Sequence, residues 1–504
     1  MDVTSVMRRA ATFFANREAI VHGKDRLTFA AAWERGCRLA NGLIALGLQP
    51  GERVAVLEDN SKEAADFFLG AGIANLVRVP LYPRNSREAH LDMVGHTGCK
   101  ALVVGGNYAH EVADFKQQLP DLRHILVRDE GYEGWLANQS PEDPMLPIRP
   151  EDNYVIRHTG GTTGRSKGVA LSFRAVVANT ESVTTLWRFS PADTMALALP
   201  LFHVHGLGLG VHGALLHRMP ILLFERFDAG RIAEAFARGG ASVFQGVPTM
   251  YVKLLELLAE SPEAARALAR GRLFTSGSAA LAAGDFARFE ELTGHRILER
   301  YGMSETLFTL SNPYEDRRPG TVGLPIPGCE VRIVDEAGRD AAAGEPGEIF
   351  VKGNGMMSGY WRRPEETAAS FRDGWFATGD MASRDRAGYV TIAGRKSVDF
   401  IKSGGFKISA REIEDVLRVH PRVKDVAVVG APDRVWGERI VAAVVLQPAA
   451  GPPPSPKGLL EELSAFCARS LADYKRPREV RILEDLPRNA LGKVQKHRIL
   501  EGLS

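Results

Sequence analysis

The sequence predicts an α/β fold with a large N-terminal body, a smaller antiparallel β unit and a compact C-terminal domain. Three observations support this. A chain of 504 residues is too long for one ordinary hydrophobic core. Its first half alternates short apolar runs with helical segments, and the pattern changes twice, after about Gly323 and after Lys396.

The alternation in the first half predicts parallel sheets covered by helices. RVAVLED, VRVPLYP and CKALVVG have the composition of buried strands, and the helical segments SKEAADFFLGAGIANL and REAHLDMVGHTG separate them. Further strands are expected at YVIRHTG, VALSF, TMALALPL, PILLFE, ASVFQGVP, GRLFTSGS and HRILERYG. These segments together make a large α/β body.

After Gly323 the segments become short and are separated by turn signals. CEVRIVDEAG, GEIFVKGNG and GYVTIAGRK each combine a β-type run with a polar, glycine-containing turn. Such runs are typical of antiparallel strands. We therefore expect a small antiparallel β unit here.

The last hundred or so residues predict a compact domain of their own. Ser409 followed by Glu412 forms a capping-box pattern at the start of SAREIEDVLRVH, and Ile413, Val416 and Leu417 share one face of the predicted helix. Two strands follow, VKDVAVVGAP and RIVAAVVLQ, and the proline-rich PAAGPPPSPKG is expected to be a surface loop.

The composition excludes several classes of protein. Lys+Arg 63 against Asp+Glu 61 leaves a net charge of +2, which gives no general attraction to nucleic acid or to a membrane surface. The four cysteines are far apart in sequence, which suggests neither a disulfide framework nor a zinc site. No apolar run approaches the eighteen or so residues of a membrane span. A reduced, cytoplasmic setting fits, and MRRAATFFANR is interpreted as the first amphipathic helix rather than as an organelle presequence.

The stretch RHTGGTTGRSKGVALS, residues 157–172, predicts a phosphate-binding loop. Glycine amides can form a concave nest for an anion, the threonine and serine hydroxyls add donors, and Lys167 adds charge. A Walker A loop leads into a helix, whereas here a strand is expected to follow. The alternative for such a loop alone is a flexible surface hairpin.

Four further motifs carry polar or charged residues in turns. ERYGMSET places the Ser304 hydroxyl and the Glu305 carboxylate where they could bind phosphate and Mg²⁺. GWFATGD ends in Asp380 after a tight turn, GRKSVDFIKSGGFKIS places Arg395 and Lys402 around a glycine pair, and PRNALGKVQKHRIL places Lys493 after a glycine. Each motif by itself could be an exposed charged loop.

Taken in order, these motifs resemble the AMP-forming acyl-CoA synthetases, the superfamily that includes luciferases and nonribosomal adenylation domains. The resemblance extends from LTFAAAWERGCRLANGL to LGKVQKHRIL and includes TGGTTGRSKG, LPLFHVHG, YGMSET and TGD. It implies an adenylation domain over residues 1–395 with a β-barrel-like unit, and a small mobile α+β domain over residues 396–504. It implies ATP, coenzyme A and a small carboxylic acid as substrates, with Mg²⁺ as cofactor.

These enzymes solve the problem that a carboxylate does not react directly with a thiol. The substrate carboxylate first attacks the α-phosphate of ATP, which gives an acyl-adenylate and pyrophosphate; the thiol of coenzyme A then displaces AMP. Because the first step brings two anions together, the main catalytic task is to neutralise charge with preorganised donors and cations.

The resemblance assigns the nucleotide contacts residue by residue. Ser304 would contact the α-phosphate, Glu305 would hold Mg²⁺ with help from Thr162, and Asp380 and Arg395 would bind the ribose hydroxyls. The loop for the β- and γ-phosphates would comprise Thr159, Gly160, Gly161, Thr162, Thr163, Gly164 and Lys167. The adenine slot would be lined by Gly277, Ser278, Ala279, Glu299, Arg300 and Tyr301.

Three further assignments concern catalysis and the thiol. Lys493 matches the lysine that bridges the acyl carboxylate and the α-phosphate during adenylation. His203 is either an ordinary core histidine or, as the motif favours, the gate between the acyl pocket and the thiol tunnel. The family's C-terminal domain rotates about a hinge, here within 396–398, which would bring a loop toward the thiol. That loop comprises Lys402, Ser403, Gly404 and Gly405.

One departure from the family lies in the phosphate loop. Gly160 stands where the family usually has serine, and the loss of one hydroxyl should weaken phosphate binding by about 1 kcal/mol.

The acyl-pocket motifs LFHVHGL, GVPTMY, SGSAAL and ERYGMSET resemble those of the malonyl-CoA synthetases. That group neutralises the second carboxylate of malonate with an arginine, at a position that Lys253 occupies here, and with a serine that matches Ser278. Lysine keeps the charge but lacks the bidentate fork of arginine. Lys253 could instead be a solvated charge on its helix. Phe308 is bulky and argues against a long acyl chain.

Several alternatives stay open at this point. Malonate or methylmalonate is favoured over another short or medium acid, and a stand-alone adenylation enzyme that loads a carrier protein is a third reading. A nucleotide-binding regulator without catalysis is disfavoured by the presence of Lys493, Glu305 and Asp380. The sequence does not distinguish a monomer from a homodimer.

Overall fold

The computed structural model describes residues 3–159, 167–203, 205–395, 400–403, 406–448, 455–489 and 494–502. The contacts within the chain divide it into two compact units. Met1–Glu330 and Val351–Trp375 form unit 1, and Val331–Phe350 and Phe376–Ser504 form unit 2.

The strands and helices alternate along most of unit 1, as the sequence predicts.

The strands of both units, within the described residues, are β1 (Glu18–His22), β2 (Asp25–Thr28), β3 (Arg53–Leu57), β4 (Val77–Pro80), β5 (Ala101–Gly105), β6 (His124–Arg128), β7 (Asn153–Thr159), β8 (Lys167–Ser172), β9 (Met195–Leu197), β10 (Ile221–Leu223), β11 (Val243–Gly246), β12 (Leu273–Ser276), β13 (Leu298–Met303), β14 (Leu307–Ser311), β15 (Leu324–Pro325), β16 (Cys329–Val334), β17 (Gly347–Gly353), β18 (Gly359–Tyr360), β19 (Phe371–Arg372), β20 (Trp375–Arg384), β21 (Val390–Arg395), β22 (Phe400–Ser403), β23 (Phe406–Ser409), β24 (Val423–Asp433), β25 (Gly437–Leu446) and β26 (Glu479–Ile482).

The α-helices are α1 (Val3–Phe13), α2 (Phe29–Ala45), α3 (Lys62–Ile73), α4 (Arg87–Thr97), α5 (Ala109–Val112), α6 (Phe115–Gln118), α7 (Tyr132–Ala137), α8 (Phe173–Leu186), α9 (Ala214–Leu216), α10 (Ala229–Ala237), α11 (Pro248–Glu260), α12 (Pro262–Leu268), α13 (Ala283–Thr293), α14 (Pro364–Ala369), α15 (Ala410–Arg418), α16 (Pro456–Cys467) and α17 (Lys496–Glu501). A π-helix covers His205–Gly213.

A nine-stranded sheet in unit 1 has the order β15-β14-β13-β12-β11-β9-β10-β1-β2. Its central pairs, from β13 to β1, are parallel, whereas the pairs at both edges are antiparallel. Helices α10 to α13 cover this sheet with a continuous apolar core that includes Phe236, Tyr251, Phe274 and Phe289. A parallel strand order of this kind needs cover on its faces, and the helices supply it.

A second sheet in unit 1 has seven strands in the order β18-β8-β7-β4-β3-β5-β6. The pairs from β7 to β6 are parallel, and β8 and β18 add antiparallel strands at one edge. Val79, Leu102 and Ile156 pack with Met93 and Val94 of α4 in its core. Both sheets therefore confirm the predicted body of helix-covered, mainly parallel strands.

The predicted small β unit is also present. Strands β16, β17 and β20 lie side by side in that order, and β21 pairs with β20 in an antiparallel arrangement. Thr378 Oγ1 donates a hydrogen bond to the Ile349 carbonyl oxygen at 2.8 Å, which ties β20 to β17.

The C-terminal part of unit 2 is an α+β domain around the sheet β23-β22-β25-β24, with β26 parallel to β25. Alternate residues of β24 and β25 point to opposite faces, so the sheet has an apolar core on each side. Ile413 and Leu417 of α15 are fully buried on one face, and Ile499 of α17 packs on the other.

The capping prediction for α15 is half confirmed. The Ser409 hydroxyl accepts a hydrogen bond from the Glu412 amide at 3.3 Å, as expected. The Glu412 carboxylate, however, forms an ion pair with Lys475, whose Nζ lies 2.7 Å from Oε1. In the predicted proline-rich loop, helix α16 begins already at Pro456, with Ser455 as its N-cap, and residues 449–454 lie outside the described residues.

Helix α1 covers Met7–Phe13 of the segment MRRAATFFANR and ends before the last four residues of that segment. Met7 and Ala10 of α1 are buried, and the Arg8 guanidinium pairs with the Asp143 carboxylate at 2.5 Å. All four cysteines are free. Among the described residues, none of the helices combines the length and apolar character needed to cross a membrane.

Candidate active site

The predicted phosphate loop connects two antiparallel strands of unit 1. In the β7–β8 pair, Thr159 lies opposite Lys167, so the loop joins the ends of a hairpin. A strand therefore follows the loop, which confirms the distinction from a Walker A loop. The predictions for Gly160, Gly161, Thr162, Thr163 and Gly164 lie outside the described residues.

Ser304 and Glu305 occupy the turn between β13 and β14, which pair in an antiparallel manner. Both residues are buried, at 6% and 7% exposure. The turn needs glycine at position 302, because a Cβ atom there would lie 2.0 Å from the Leu307 carbonyl oxygen. Leu307 itself has a φ of 53°, a backbone conformation that costs energy for a non-glycine residue. The turn is thus tightly constrained.

Tyr360 connects Glu305 with Lys167. Its hydroxyl donates a hydrogen bond to Glu305 Oε1 at 3.2 Å, and Lys167 Nζ lies 4.9 Å from the centre of its ring. Lys167 Nζ also pairs with Glu366 Oε2 of α14 at 2.7 Å. The structure therefore brings the predicted phosphate-binding lysine and the predicted Mg²⁺ ligand to one tyrosine.

Arg157 approaches the same turn from β7. Its Nη1 donates a hydrogen bond to the Ser304 hydroxyl. Burial lowers the pKa of Arg157 to about 10, an effect that the nearby Glu305 carboxylate opposes, so the guanidinium is still charged near pH 7. Ser304 is thus held by a cation that could itself face a phosphate.

A second group of residues surrounds the buried Arg300 on β13. Arg300 Nη2 donates a hydrogen bond to Nε2 of His205, and its guanidinium carbon lies 4.6 Å from the centre of the Phe308 ring. Nδ1 of His205 lies 3.5 Å from the Ser278 hydroxyl. Gly277 leaves room for the guanidinium, since a Cβ atom there would lie 2.5 Å from Arg300 Cζ.

The protonation states in this group follow from burial. Burial, with the charge of Arg300, lowers the pKa of His205 well below its ordinary value, so the imidazole is neutral. Because Nε2 accepts the bond from Arg300, the ring proton is on Nδ1, on the side of Ser278. Burial also lowers the pKa of Arg300 to about 9, which still leaves it charged near pH 7. Nε of Arg300 has no hydrogen-bond partner among the described residues.

Phe308 is fixed by Asn179 of α8. The Asn179 side-chain amide donates to the Phe308 carbonyl oxygen at 2.7 Å, and the Phe308 amide donates back to Asn179 Oδ1 at 3.0 Å. Phe308 is only 4% exposed. The ring over Arg300 therefore sits on a rigid backbone.

His203 lies just before the π-helix. Its Nδ1 accepts a hydrogen bond from the His205 amide at 3.2 Å. Burial, with the charges of Arg157 and Arg300, lowers its pKa well below the ordinary value. His203 is thus a neutral histidine, and the charge of a cation from each of the two groups described above helps to keep it neutral.

The other sequence-predicted residues of unit 1 lie on β13, after β12 and on α11. Glu299 is buried, and its Oε1 accepts a hydrogen bond from the Gly320 amide at 3.0 Å. Tyr301 is half-buried, and Ser278 and Ala279 are exposed after β12. Lys253 is exposed on α11, whereas Tyr251 and Leu254 of the same helix are buried. Lys253 is therefore not among the buried residues that surround Arg300.

In unit 2, Asp380 of β20 lies directly opposite Arg395 of β21 in the antiparallel register. Asp380 is 8% exposed, and its amide donates to the Thr378 hydroxyl at 3.1 Å. Gly379 lies within β20 with a φ of 72°, and its amide donates a hydrogen bond to Glu348 Oε1 at 3.2 Å. The prediction of a tight turn before Asp380 is wrong, because β20 continues from Trp375 to Arg384. The two predicted ribose-binding residues are thus neighbours across one strand pair.

The structure describes two residues of the predicted thiol-side loop and does not describe the predicted adenylation lysine. Lys402 pairs with Lys407, and Ser403 with Phe406, in the β22–β23 hairpin. Ser403 is 2% exposed, and its hydroxyl has no partner among the described residues. Gly404, Gly405, Lys493 and the predicted hinge at 396–398 lie outside the described residues.

Comparison with known families gives a direct match. The sequence model of the AMP-binding enzymes matches residues 7–361, and that of the AMP-binding enzyme C-terminal domain matches residues 412–493. The chain belongs to the AMP-binding enzyme family.

Relatives of this AMP-binding enzyme cover nearly its full length. It is 34% identical to the mitochondrial malonate–CoA ligase ACSF3 of Mus musculus, over 98% of this chain and 90% of the relative. It is 33% identical to a long-chain-fatty-acid–CoA ligase of Bacillus subtilis, over 99% and 94% of the two chains. The crystal structure of ATP-bound MatB from Rhodopseudomonas palustris aligns with a TM-score of 0.92 at 34% identity, over 100% of this chain and 99% of that one.

The described residues of this AMP-binding enzyme fit a bound Mg²⁺ ion. Among them, no group of three or more His, Cys, Asp or Glu side chains could hold a metal ion by itself. Mg²⁺ in nucleotide sites is usually held by one or two carboxylates together with substrate phosphates and water. The buried Glu305 carboxylate, fixed by Tyr360, offers one such ligand.

Two residues of the AMP-binding enzyme carry more than the sequence analysis assigned to them. Arg157 is the first residue of the loop stretch and has no predicted role, although a charged residue inside an apolar strand is a usable signal. His205 belongs to LPLFHVHG, in which the motif predicts a role only for His203. Its contact with Arg300 depends on two segments 95 residues apart in sequence, which no local pattern reveals.

Proposed function

We propose that this chain is an ATP-dependent acid–thiol ligase that converts malonate or methylmalonate into the CoA thioester. The substrate carboxylate attacks the α-phosphate of ATP, and the bond to pyrophosphate breaks. The thiol of coenzyme A then attacks the acyl carbon of the adenylate, AMP leaves, and the thiol loses its proton. ATP, Mg²⁺ and coenzyme A are the cofactor and co-substrates of this reaction.

The proposal of a dicarboxylate substrate rests on the buried cation Arg300. This cation is 5% exposed, and its hydrogen bonds within the described residues go to a neutral histidine. A buried, uncompensated charge is costly, and a second substrate carboxylate would remove that cost. The Ser278 hydroxyl lies 3.5 Å from Nδ1 of His205, and these two groups could complete the carboxylate's hydrogen bonds.

Phe308 limits the size of the proposed acid. Its ring lies over the guanidinium of Arg300, and its backbone is held by two hydrogen bonds with Asn179. We infer that a bulky, buried ring beside the proposed carboxylate partner favours a short dicarboxylate such as malonate over a long chain. The similarity to malonate–CoA ligases adds support.

The adenylation step requires neutralisation of the phosphates. We assign this to Lys167, Arg157 and Ser304 in unit 1, together with the loop residues 159–164. Arg157 and Lys167 carry positive charge at the turn where Ser304 and Glu305 lie. Preorganised charge of this kind stabilises phosphoryl transfer without acid–base chemistry. When bound, Mg²⁺ would add positive charge at Glu305.

The second step needs a different arrangement of the chain. We propose that residues 1–395 act as the adenylation domain and that residues 396–504 rotate about the segment 396–398 after adenylation. Lys493 would leave the acyl carboxylate, and the loop 402–405 would approach the thiol. Two observations support a separate C-terminal domain, namely the cores on both faces of its own sheet and the separate family match over residues 412–493.

One assay tests the proposed substrate. AMP production that depends on coenzyme A would be measured with malonate, methylmalonate, acetate, butyrate and octanoate at equal concentrations. We expect malonate or methylmalonate to give the highest kcat/KM. A higher value for octanoate or butyrate would contradict the dicarboxylate proposal while leaving the ligase chemistry intact.

The remaining alternative is an enzyme that transfers the acyl group to a carrier protein instead of to coenzyme A. Replacing coenzyme A by a phosphopantetheinylated carrier protein in the same assay distinguishes the two. Faster AMP release with the carrier would favour this alternative.

For the compartment we propose the cytoplasm. The segment that resembles a presequence is helix α1, whose Met7 and Ala10 are buried in unit 1 and whose Arg8 pairs with Asp143. A cleaved presequence would remove this packing. Fractionation of cells that express the full chain with a C-terminal tag would test the assignment, and an organellar, shortened product would contradict it.

A further inference from the structure

Lys167, the lysine that we assign to the phosphates of ATP, has a carboxylate partner in unit 1. Its Nζ lies 2.7 Å from Oε2 of Glu366 on α14. The two side chains are partly exposed, at 30% and 34%. A ligand can therefore reach the ammonium group, but it meets a cation whose charge the carboxylate largely offsets.

Glu366 binds a second cation with its other oxygen. Oε1 accepts a hydrogen bond from Nη1 of Arg363, the residue before α14. The hydrogen bonds from Lys167 and from Arg363 lower the pKa of Glu366 below its ordinary value. The carboxylate is therefore negatively charged near pH 7, and it offsets one of the two positive charges beside it.

The backbone on both sides holds this ion pair in place. Strand β18 pairs with β8, and just after β18 the Trp361 amide donates a hydrogen bond to the Gly168 carbonyl oxygen at 2.7 Å. The Thr367 hydroxyl accepts a hydrogen bond from the Tyr360 amide at 2.9 Å, which ties α14 to β18. The helix that carries Glu366 is thus fixed beside the start of the strand that carries the lysine.

A phosphate that binds Lys167 must compete with Glu366 for the same ammonium group. A partly exposed ion pair contributes little stability, so a phosphate can displace the carboxylate at small cost. The displaced carboxylate stays close to the phosphate, because α14 is fixed beside β8. The two negative groups then repel each other, which lowers the affinity for the phosphate.

We propose that Glu366, as the counter-ion of Lys167, lowers the affinity of this chain for ATP and pyrophosphate relative to AMP. This role rests on the proposed function, in which Lys167 and residues 159–164 hold the β- and γ-phosphates. AMP lacks these phosphates and does not compete with Glu366. The same repulsion favours the release of pyrophosphate after adenylation, since tight binding of the ground state does not speed the chemical step.

Glu366→Gln removes the charge and keeps the size of the side chain. Isothermal titration calorimetry with the full-length chain, at constant Mg²⁺ and without a carboxylic acid or coenzyme A, gives the dissociation constants of ATP, pyrophosphate and AMP. We expect the variant to bind ATP and pyrophosphate about threefold to tenfold more tightly, because one nearby repulsive charge is removed. Unchanged or weaker ATP binding would overturn the proposed role of Glu366.

AMP is the internal control in the same titrations. Its dissociation constant should change by less than about twofold in Glu366→Gln, because AMP has no group at Lys167. Retained AMP binding also shows that the variant is folded. A gain for AMP as large as that for ATP would overturn the role, because the effect would then not depend on the β- and γ-phosphates.

Glu365→Gln is the matched control variant. Glu365 lies in the first turn of the same helix and is exposed, and the substitution makes the same change in net charge. We expect ATP binding to change by less than about twofold, as is usual for an exposed charge. An equal gain in both variants would show that net charge, and not the pair with Lys167, sets the affinity.

Lys167→Met separates the role of Glu366 from the proposed function. Weaker ATP and pyrophosphate binding with retained AMP binding would support the assignment of Lys167. If Lys167→Met behaves in this way and Glu366→Gln shows no gain, the role of Glu366 is refuted and the proposed function stands. If Lys167→Met binds ATP as tightly as the unsubstituted chain, both are refuted. Because no acid is present, the choice of malonate does not affect either result.

Discussion

Nη2 of Arg300 donates a hydrogen bond to Nε2 of His205, and no carboxylate of the described residues pairs with that guanidinium. The two side chains come from β13 and from the start of the π-helix, which are 95 residues apart in sequence. A cation buried against a neutral ring is stabilised when an anion arrives. The pair therefore supports the proposed preference for an acid with two carboxylates.

Removing this cation should change the choice of acid. Arg300→Met is expected to lower kcat/KM for malonate by about tenfold to a hundredfold, because a charge-assisted hydrogen bond is lost, and to lower that for butyrate much less. Lys253→Met is the matched control on the exposed face of α11. If Lys253→Met alone abolished malonate selectivity, Lys253 would be the carboxylate partner after all.

Lys493 should serve only the first half-reaction. Lys493→Ala is expected to abolish malonyl-adenylate formation, measured as pyrophosphate release, because in the proposed role the lysine bridges two anions. Thioester formation from supplied malonyl-adenylate and coenzyme A should largely persist. An equal loss in both assays would contradict the proposed role and the rotation on which it depends.

The turn that holds Ser304 and Glu305 should not tolerate a side chain at position 302. Gly302→Ala would place a Cβ atom 2.0 Å from the Leu307 carbonyl oxygen, so the hairpin must distort. We expect adenylation to fall by at least about a hundredfold, because a displacement of about 1 Å is enough to cost that much. Gly284→Ala on α13 is the control, since no atom lies within 4 Å of its Cβ position. Unchanged activity in Gly302→Ala would mean that this turn does not bind the nucleotide.

His158 should make the chain less stable in acid. Burial, with the nearby His96 and Arg157, lowers its pKa from 6.5 to about 3. Between these two values the unfolded chain binds a proton that the folded chain does not, so the free energy of unfolding falls as the pH falls below 6.5. The contribution is about 1.4 kcal/mol per pH unit.

The variant His158→Phe removes this contribution. Urea unfolding midpoints measured at pH 7.5, 6 and 5 should fall less steeply with acid than those of the unsubstituted chain. His110→Phe, on the exposed surface of α5, should keep the original slope. Identical slopes in all three proteins would show that His158 is protonated in the folded state.

The sequence was most informative where the pattern is local. The strand and helix alternation predicted both helix-covered sheets, because burial of one face imposes a period on the residues that form it. Strands on both sides of the glycine-rich loop, now β7 and β8, were also predicted, since the apolar runs there have β-type composition, whereas their antiparallel pairing was not. The order of the motifs along the chain is enough to indicate the family without any tertiary contact.

The sequence was least informative where side chains from distant segments meet. It assigned His203 but not His205, because only the folded chain brings His205 beside Arg300. It assigned Lys253 to the acid from its position in a motif, whereas helix α11 leaves Lys253 exposed and buries Tyr251 and Leu254.

The class of this protein, its sheets and its nucleotide motifs follow from the amino-acid sequence, because each depends on residues close together along the chain. Which charges are buried without a counter-ion follows from the packing of the folded chain. That property depends on how β13 and the π-helix pack, and the cost of a buried charge depends on its distance to every neighbour rather than on its position in the sequence.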